Sequence, residues 1–108
     1  MTVLLGRPTF IIAMRIKVKF HSLLRLYLGF GEMILELPDR QDITVRELID
    51  ELNLRVGKEL KNKLLDGDEI KKGTMVLLNG KNILHLKKLD TVVQDGDVVV
   101  FFPPGGGG

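Results

Sequence analysis

The chain has no cysteine and no tryptophan, few aromatic residues and no long apolar run. Each absence removes a class of function. Without cysteine there are no disulfide staples, no thiolate metal ligands and no cysteine nucleophile. Such a composition suits a reducing compartment, and a cytoplasmic location is expected. The two histidines, His21 and His85, lack the short spacing of a helical metal motif, so no metal site is expected. The aromatics are Phe10, Phe20, Tyr27, Phe30, Phe101 and Phe102, which leaves the core to Leu, Ile and Val. No stretch approaches the ~20 apolar residues of a membrane span, so a membrane is not an expected partner. Phosphate loop, dinucleotide fingerprint and nucleophile elbow are all missing. Ser22 has His21 beside it, but neighbours at a strand end point apart, which makes a poor catalytic pair. An independent hydrolase or oxidoreductase is therefore the weakest reading of this chain.

Charge is nearly balanced, with 16 Lys plus Arg against 14 Asp plus Glu and a net charge of +2. Locally it is not. Between positions 58 and 88, Lys58, Lys61, Lys63, Lys71, Lys72, Lys81, Lys87 and Lys88 outnumber Glu59, Asp66, Asp68 and Glu69. Such a run is a solvated face or a surface for an acidic protein partner. No aromatic interleaves the lysines, so the stacking platform for single strands is missing and nucleic acid is not an expected partner.

The opening stretch MTVLLGRPTFIIA is apolar but broken by Gly6-Arg7-Pro8, and it lacks the basic start of a signal peptide. Residues 1–13 are expected to be a dispensable extension, with Met14 as the functional start. Behind Met14, Ile16, Val18 and Phe20 alternate with Arg15, Lys17 and Lys19, the pattern of a half-buried strand. Leu23, Leu24, Leu26, Tyr27 and Leu28 suggest a helical turn before the Gly29-Phe30-Gly31 loop. Met33, Leu35 and Leu37 alternate up to Pro38, giving a second strand that pairs most simply as an antiparallel hairpin.

Thr44-Val45-Arg46-Glu47 has the pattern of a capping box. Val45, Leu48, Ile49 and Leu52 follow at helical spacing, with Arg46, Glu47, Asp50 and Glu51 opposite. A shorter helical segment is expected around Leu60, Leu64 and Leu65. Met75–Leu78 and Ile83–Leu86 read as strands across an Asn79-Gly80 turn, whose residues favour positive φ. Leu89 to Gln94 reads as a connector. After the turn Asp95-Gly96-Asp97, Val98-Val99-Val100-Phe101-Phe102 is continuously apolar, so this strand is either covered on both faces or exposes one as a binding surface. The order ββαββ with a final strand implies a mixed sheet crossed by one main helix, an α+β fold.

That last strand runs directly into Pro103-Pro104-Gly105-Gly106-Gly107-Gly108. Proline keeps an extended path and cannot continue a sheet interior. Glycine adds no side chain that would clash in a narrow channel. Extended at ~3.3 Å per residue, the 103–108 segment reaches roughly 20 Å and ends in a carboxylate. Such a group becomes an electrophile once activated, for example as an acyl-adenylate, and can then take up sulfur or pass to an amine. A frayed end without function is the alternative.

Residues 14–108 resemble the ubiquitin-like sulfur carriers of the MoaD/ThiS family, most closely the small subunit of molybdopterin synthase. The resemblance lies in Ile16-Lys17-Val18-Lys19-Phe20 with Leu24-Arg25, in Thr44-Val45-Arg46-Glu47-Leu48, and in Val76-Leu77-Leu78-Asn79-Gly80-Lys81-Asn82-Ile83. It is most specific in Asp95-Gly96-Asp97-Val98-Val99-Val100-Phe101-Phe102-Pro103-Pro104 with terminal Gly107-Gly108. It implies a β-grasp fold of about five strands and one main helix over 14–102, with residues 103–108 as a flexible functional tail. It also implies that an E1-like enzyme uses ATP to adenylate Gly108, after which sulfur transfer forms a thiocarboxylate. In molybdopterin synthase that group enters the large subunit and supplies the dithiolene sulfur of molybdopterin or tungstopterin. The chain would then bind no cofactor and act as a non-catalytic subunit. Phe102, Pro103, Pro104, Gly105, Gly106 and Gly107 would contact the partner. The same fold also serves modifiers and tRNA-thiolation carriers, in which Gly108 is joined to substrate lysines or hands on sulfur. Gly105-Gly106 departs from the synthase pattern, which usually carries a side chain before the final pair.

Overall fold

The computed structural model describes residues 13–38 and 40–104. The first strand, β1 (Ala13–Phe20), alternates as its residues require: Met14, Ile16, Val18 and Phe20 are buried, while Arg15, Lys17 and Lys19 face outward. It begins at Ala13, one residue inside the segment expected to precede the domain; residues 1–12 lie outside the described residues. A short helix, α1 (Ser22–Leu28), follows and ends on Gly29, whose φ of 88° is the left-handed cap that glycine adopts without steric cost. Strand β2 (Glu32–Pro38) returns antiparallel to β1, with Ile16 opposite Leu35.

Strand β3 (Asp42–Thr44) leads into α2 (Val45–Arg55). The capping box forms in both directions. Glu47 N donates to Thr44 Oγ1 at 3.1 Å, and Thr44 N donates to Glu47 Oε1 at 2.9 Å. Val45, Leu48, Ile49 and Leu52 are the buried residues of the helix. Next come α3 (Lys61–Leu64) and the strands β4 (Leu65–Asp66) and β5 (Glu69–Ile70). Leu65 thus leaves the helical segment expected of it and opens a strand. Strand β6 (Met75–Leu78) turns through Asn79 and Gly80, with φ of 50° and 87°, into β7 (Lys81–Asn82).

Two expectations fail here. The strand expected over Ile83–Leu86 stops at Asn82, because Asn82 Oδ1 accepts the Leu84 N–H at 2.9 Å and starts a 3-10 turn over Ile83–His85. Ile83 is buried, whereas Leu84 and Leu86 are exposed. The connector expected over 89–94 contains a second 3-10 turn (Lys88–Asp90) and a strand, β8 (Val92–Gln94), which pairs with β3.

Strand β9 (Val98–Phe102) closes the main sheet, whose order is β2-β1-β9-β6-β7. β9 lies parallel to β1 and antiparallel to β6. Helix α2 and the 3-10 turns contribute Leu48, Ile49, Leu52, Ile83 and Leu89 to the single buried cluster that covers one face of the sheet. The result is the expected mixed five-stranded sheet with one main helix.

Candidate functional site

The tail begins where β9 ends, so the site is built first from whatever fixes that end. Along β9, Val99 and Phe101 are buried while Val98, Val100 and Phe102 are half-buried. This decides between the two readings of the continuous apolar strand: one face belongs to the core and the other stays partly open. Phe101 lies opposite Phe20 in the parallel ladder and Val76 in the antiparallel one. Its ring stacks on Phe20 with centroids 5.9 Å apart, and Phe30 meets Phe20 edge-on at 5.7 Å. Phe20, Phe30 and Phe101 are therefore gathered beneath the point from which the tail leaves.

Phe102 points to the opposite face, as strand geometry requires. It pairs with Met75 across the ladder and stacks against His21 at 4.7 Å. His21 N donates to Phe101 O at 3.1 Å, which fixes the turn into α1 against the end of β9. Pro103 and Pro104 follow, both half-buried. Proline offers no N–H to extend either ladder, so sheet pairing ends at Phe102. Gly105, Gly106, Gly107 and Gly108 lie outside the described residues.

The other end of β9 is secured with equal care. Arg15 N donates to Asp95 Oδ1 and Gly96 N to Arg15 O, both at 2.8 Å. Asp97 accepts from Asn79 Nδ2 at 2.9 Å and from Gln94 N at 2.8 Å, while Asn79 Oδ1 accepts from Val98 N at 2.8 Å. Each turn donor thus meets a carboxylate or amide oxygen, so β9 enters the sheet in one register.

The open face of the sheet carries Lys17 and Lys19 on β1, Val98, Val100 and Phe102 on β9, and Leu77 and Met75 on β6. It is an apolar stripe bordered by Lys17 and Lys19, of which Lys17 pairs with Glu32 of β2 at 3.7 Å, and it ends at the root of the tail. Sequence reasoning picked out Phe102, Pro103 and Pro104 but missed His21, Met75 and Leu77, which join them only through strand pairing. Among the described residues no group of three or more His, Asp or Glu side chains converges on a metal position. Among the same residues no helix is long and apolar enough to cross a membrane.

Among the described residues, Glu47 is the one carboxylate whose proton affinity is clearly altered. The Thr44 backbone N–H, then the Thr44 hydroxyl and Arg40, hold it below the usual carboxylate range. That is a helix-capping role, away from the tail.

Residues 25–108 match the ThiS family. The chain is 30% identical over 95 residues to small archaeal modifier protein 3 of Haloferax volcanii, covering 88% of this chain and all of that protein. It is 33% identical over 70 residues to a candidate sulfur carrier protein of Archaeoglobus fulgidus, covering 65% of this chain and 80% of the relative. A candidate molybdopterin converting factor subunit 1 of Pyrococcus furiosus has a similar solved structure. Its TM-score is 0.60 at 30% identity, covering 85% of this chain and 99% of that one. On the family match over most of its length and on these relatives, the chain belongs to the ThiS family of ubiquitin-like sulfur carriers and modifiers.

Proposed function

We propose that Gly108 is the working group of this protein and that it carries sulfur for pterin dithiolene synthesis, as the small subunit of a molybdopterin synthase. The observation that carries this reading is the placement of β9. It is the central strand, paired on both sides and backed by the Phe20–Phe101 stack, and it leads straight into the Pro-Pro-Gly sequence.

The chemistry runs in two displacements. A carboxylate oxygen of Gly108 attacks the α-phosphorus of ATP on an E1-like partner, and pyrophosphate leaves. A sulfur nucleophile supplied by the partner system then attacks the acyl-adenylate carbon, and AMP leaves with the mixed-anhydride oxygen. ATP belongs to the partner; the carrier contributes reach and docking. Gly105, Gly106 and Gly107 present no side chain to a narrow channel. Pro103 and Pro104 reduce the conformers frozen out on insertion. Phe102, on the open face with Val100 and Met75, is the aromatic anchor for the partner.

Intact-mass analysis after incubation with ATP, a sulfur source and the cognate activating enzyme tests this. An oxygen-to-sulfur mass increase localised to Gly108 is expected, and a chain capped by one extra bulky residue should show none. Repeated failure with a demonstrably active enzyme would overturn the carrier reading.

A second reading is favoured by one observation, the relative named as a modifier, which the chain matches along that protein's whole length. In it, the same adenylate is passed to a substrate lysine or to a tRNA-thiolation system. Recovered Gly108–lysine isopeptides would support the modifier role. A stable complex with a pterin-binding large subunit would support the synthase role.

A further inference from the structure

A groove at the root of the tail has a chemistry that sulfur carriage does not require. The depression, about 230 Å³, lies between α1, α3 and the start of the tail. Its floor is apolar, made by Leu23, Leu24, Tyr27, Pro103 and Pro104. Leu23 is 54% exposed, and Leu26, three residues further along the same helix, is 76% exposed, so the apolar lip continues past the depression.

Its rim is basic. Lys63 and Lys71 line it, and the Tyr27 ring carries the Lys63 amine at 4.7 Å and the Lys58 amine at 5.3 Å from its centroid. Carbonyls rather than carboxylates hold two of these amines: Lys58 Nζ donates to Tyr27 O at 2.7 Å, and Lys71 Nζ donates to Asn62 O at 2.8 Å. No carboxylate lines the depression, and among the described residues none pairs with Lys58, Lys63 or Lys71. Each ammonium has three donors, so capacity for an anion remains.

A second depression, of about 310 Å³, supplies the contrast. There Arg46, Lys87 and Lys88 mix with Asp68, Glu69 and Asp90, and Arg46 pairs with Asp90 at 3.4 Å. Its charges cancel; those of the groove do not.

We propose that the groove receives an acidic segment bearing a bulky apolar anchor, supplied by the protein that takes up the tail. The anchor rests on Leu23, Tyr27 and Pro104, and the carboxylates face Lys58, Lys63 and Lys71. Charge complementarity selects this occupant: an apolar floor with an unneutralised basic rim favours acid plus hydrophobe and repels basic segments. Identifying the partner rests on the carrier reading, but binding in the groove does not need an activated Gly108.

The test is a titration of the isotope-labelled full chain with acetyl-Glu-Asp-Leu-Phe-Asp-Glu-amide, followed through backbone amide shifts. Shifts are expected to concentrate in 23–28 and 58–71. The double variant K63E/K71E should weaken binding at least about tenfold, with K63Q/K71Q in between, and raising salt from about 50 to about 300 mM should weaken it several-fold. The control K87E/K88E should leave affinity unchanged. Thermal unfolding of each variant, matched to the parent, separates lost binding from lost fold. Shifts centred elsewhere, equal binding by a peptide with Ser replacing Leu and Phe, or no effect of K63E/K71E would each overturn the proposal. Deleting Gly107 and Gly108 should leave peptide affinity unchanged. Failure of sulfur loading with intact peptide binding therefore sinks the carrier reading alone, and the reverse outcome sinks the groove alone.

Discussion

In the middle of the sheet, Val99 and Phe101 have no exposed surface and lie between two continuous ladders. The stretches 61–70 and 81–90, on either side of β6, are put together differently, from two-residue strands, a four-residue helix and two 3-10 turns. Side chains take over there from ladders. Asn53 Oδ1 accepts the Leu60 and Lys61 amides at 2.9 and 2.8 Å, and Asn82 Oδ1 accepts the Leu84 amide. Packing makes the first region stiff and leaves little freedom to its surface. The second is defined by local hydrogen bonds, leaving Leu84 and Leu86 exposed among lysines. The end of β9 is thus set by packing, and the surface around 81–90 by local hydrogen bonds.

The largest effect expected from this contrast is at Phe101. Phe101→Ala removes a ring stacked on Phe20 and should cost about 3–5 kcal/mol in urea unfolding, whereas Leu84→Ala should fall within about 0.5 kcal/mol. Equal losses would erase the distinction. Next comes the tie between the two turns. Asn79→Ala leaves the Val98 amide and Asp97 Oδ1 without their Asn79 partner and puts alanine at a positive φ, so a loss of about 2 kcal/mol is expected. The smallest effect concerns pH. Because Glu47 is held below its ordinary value of 4.5 by the Thr44 amide, its contribution is present above that value. It is lost as pH falls through the still lower value in the folded protein. Acid unfolding of Glu47→Gln should accordingly be less steep below about pH 4.5 than that of the parent. An unchanged slope would show that the capping box does not contribute to acid sensitivity.

The stiff region was also the legible one. Alternation from Arg15 to Phe20, the Thr44 and Glu47 pair and the Asn79-Gly80 turn each encode structure within a few neighbouring residues, and all three form as expected. Ile83–Leu86 misled because apolar residues in a row resemble a strand, and only the Asn82 side chain, by taking the Leu84 amide, turns them aside. Val92–Gln94 is too short to display alternation and becomes a strand only because Asp42–Thr44 lies beside it. The site divides along the same line. Phe102, Pro103 and Pro104 could be read from their order, and the opposite orientation of Phe101 and Phe102 follows from strand geometry. His21 beside Phe102, and the groove of Leu23, Tyr27, Lys63 and Lys71, arise from residues far apart in sequence, and no local pattern announces them.

The first and last of the described strands run side by side in the same direction, Val18 beside Val99 and Phe20 beside Phe101. Closing that ladder joins the two ends of the domain, a slow, non-local step that nearly all of the polypeptide must exist to complete. The end of β9 is therefore fixed by contacts between segments at opposite ends of the domain. Anything that opens the ladder between β1 and β9 therefore also loosens the strand end that leads into Pro103 and Pro104.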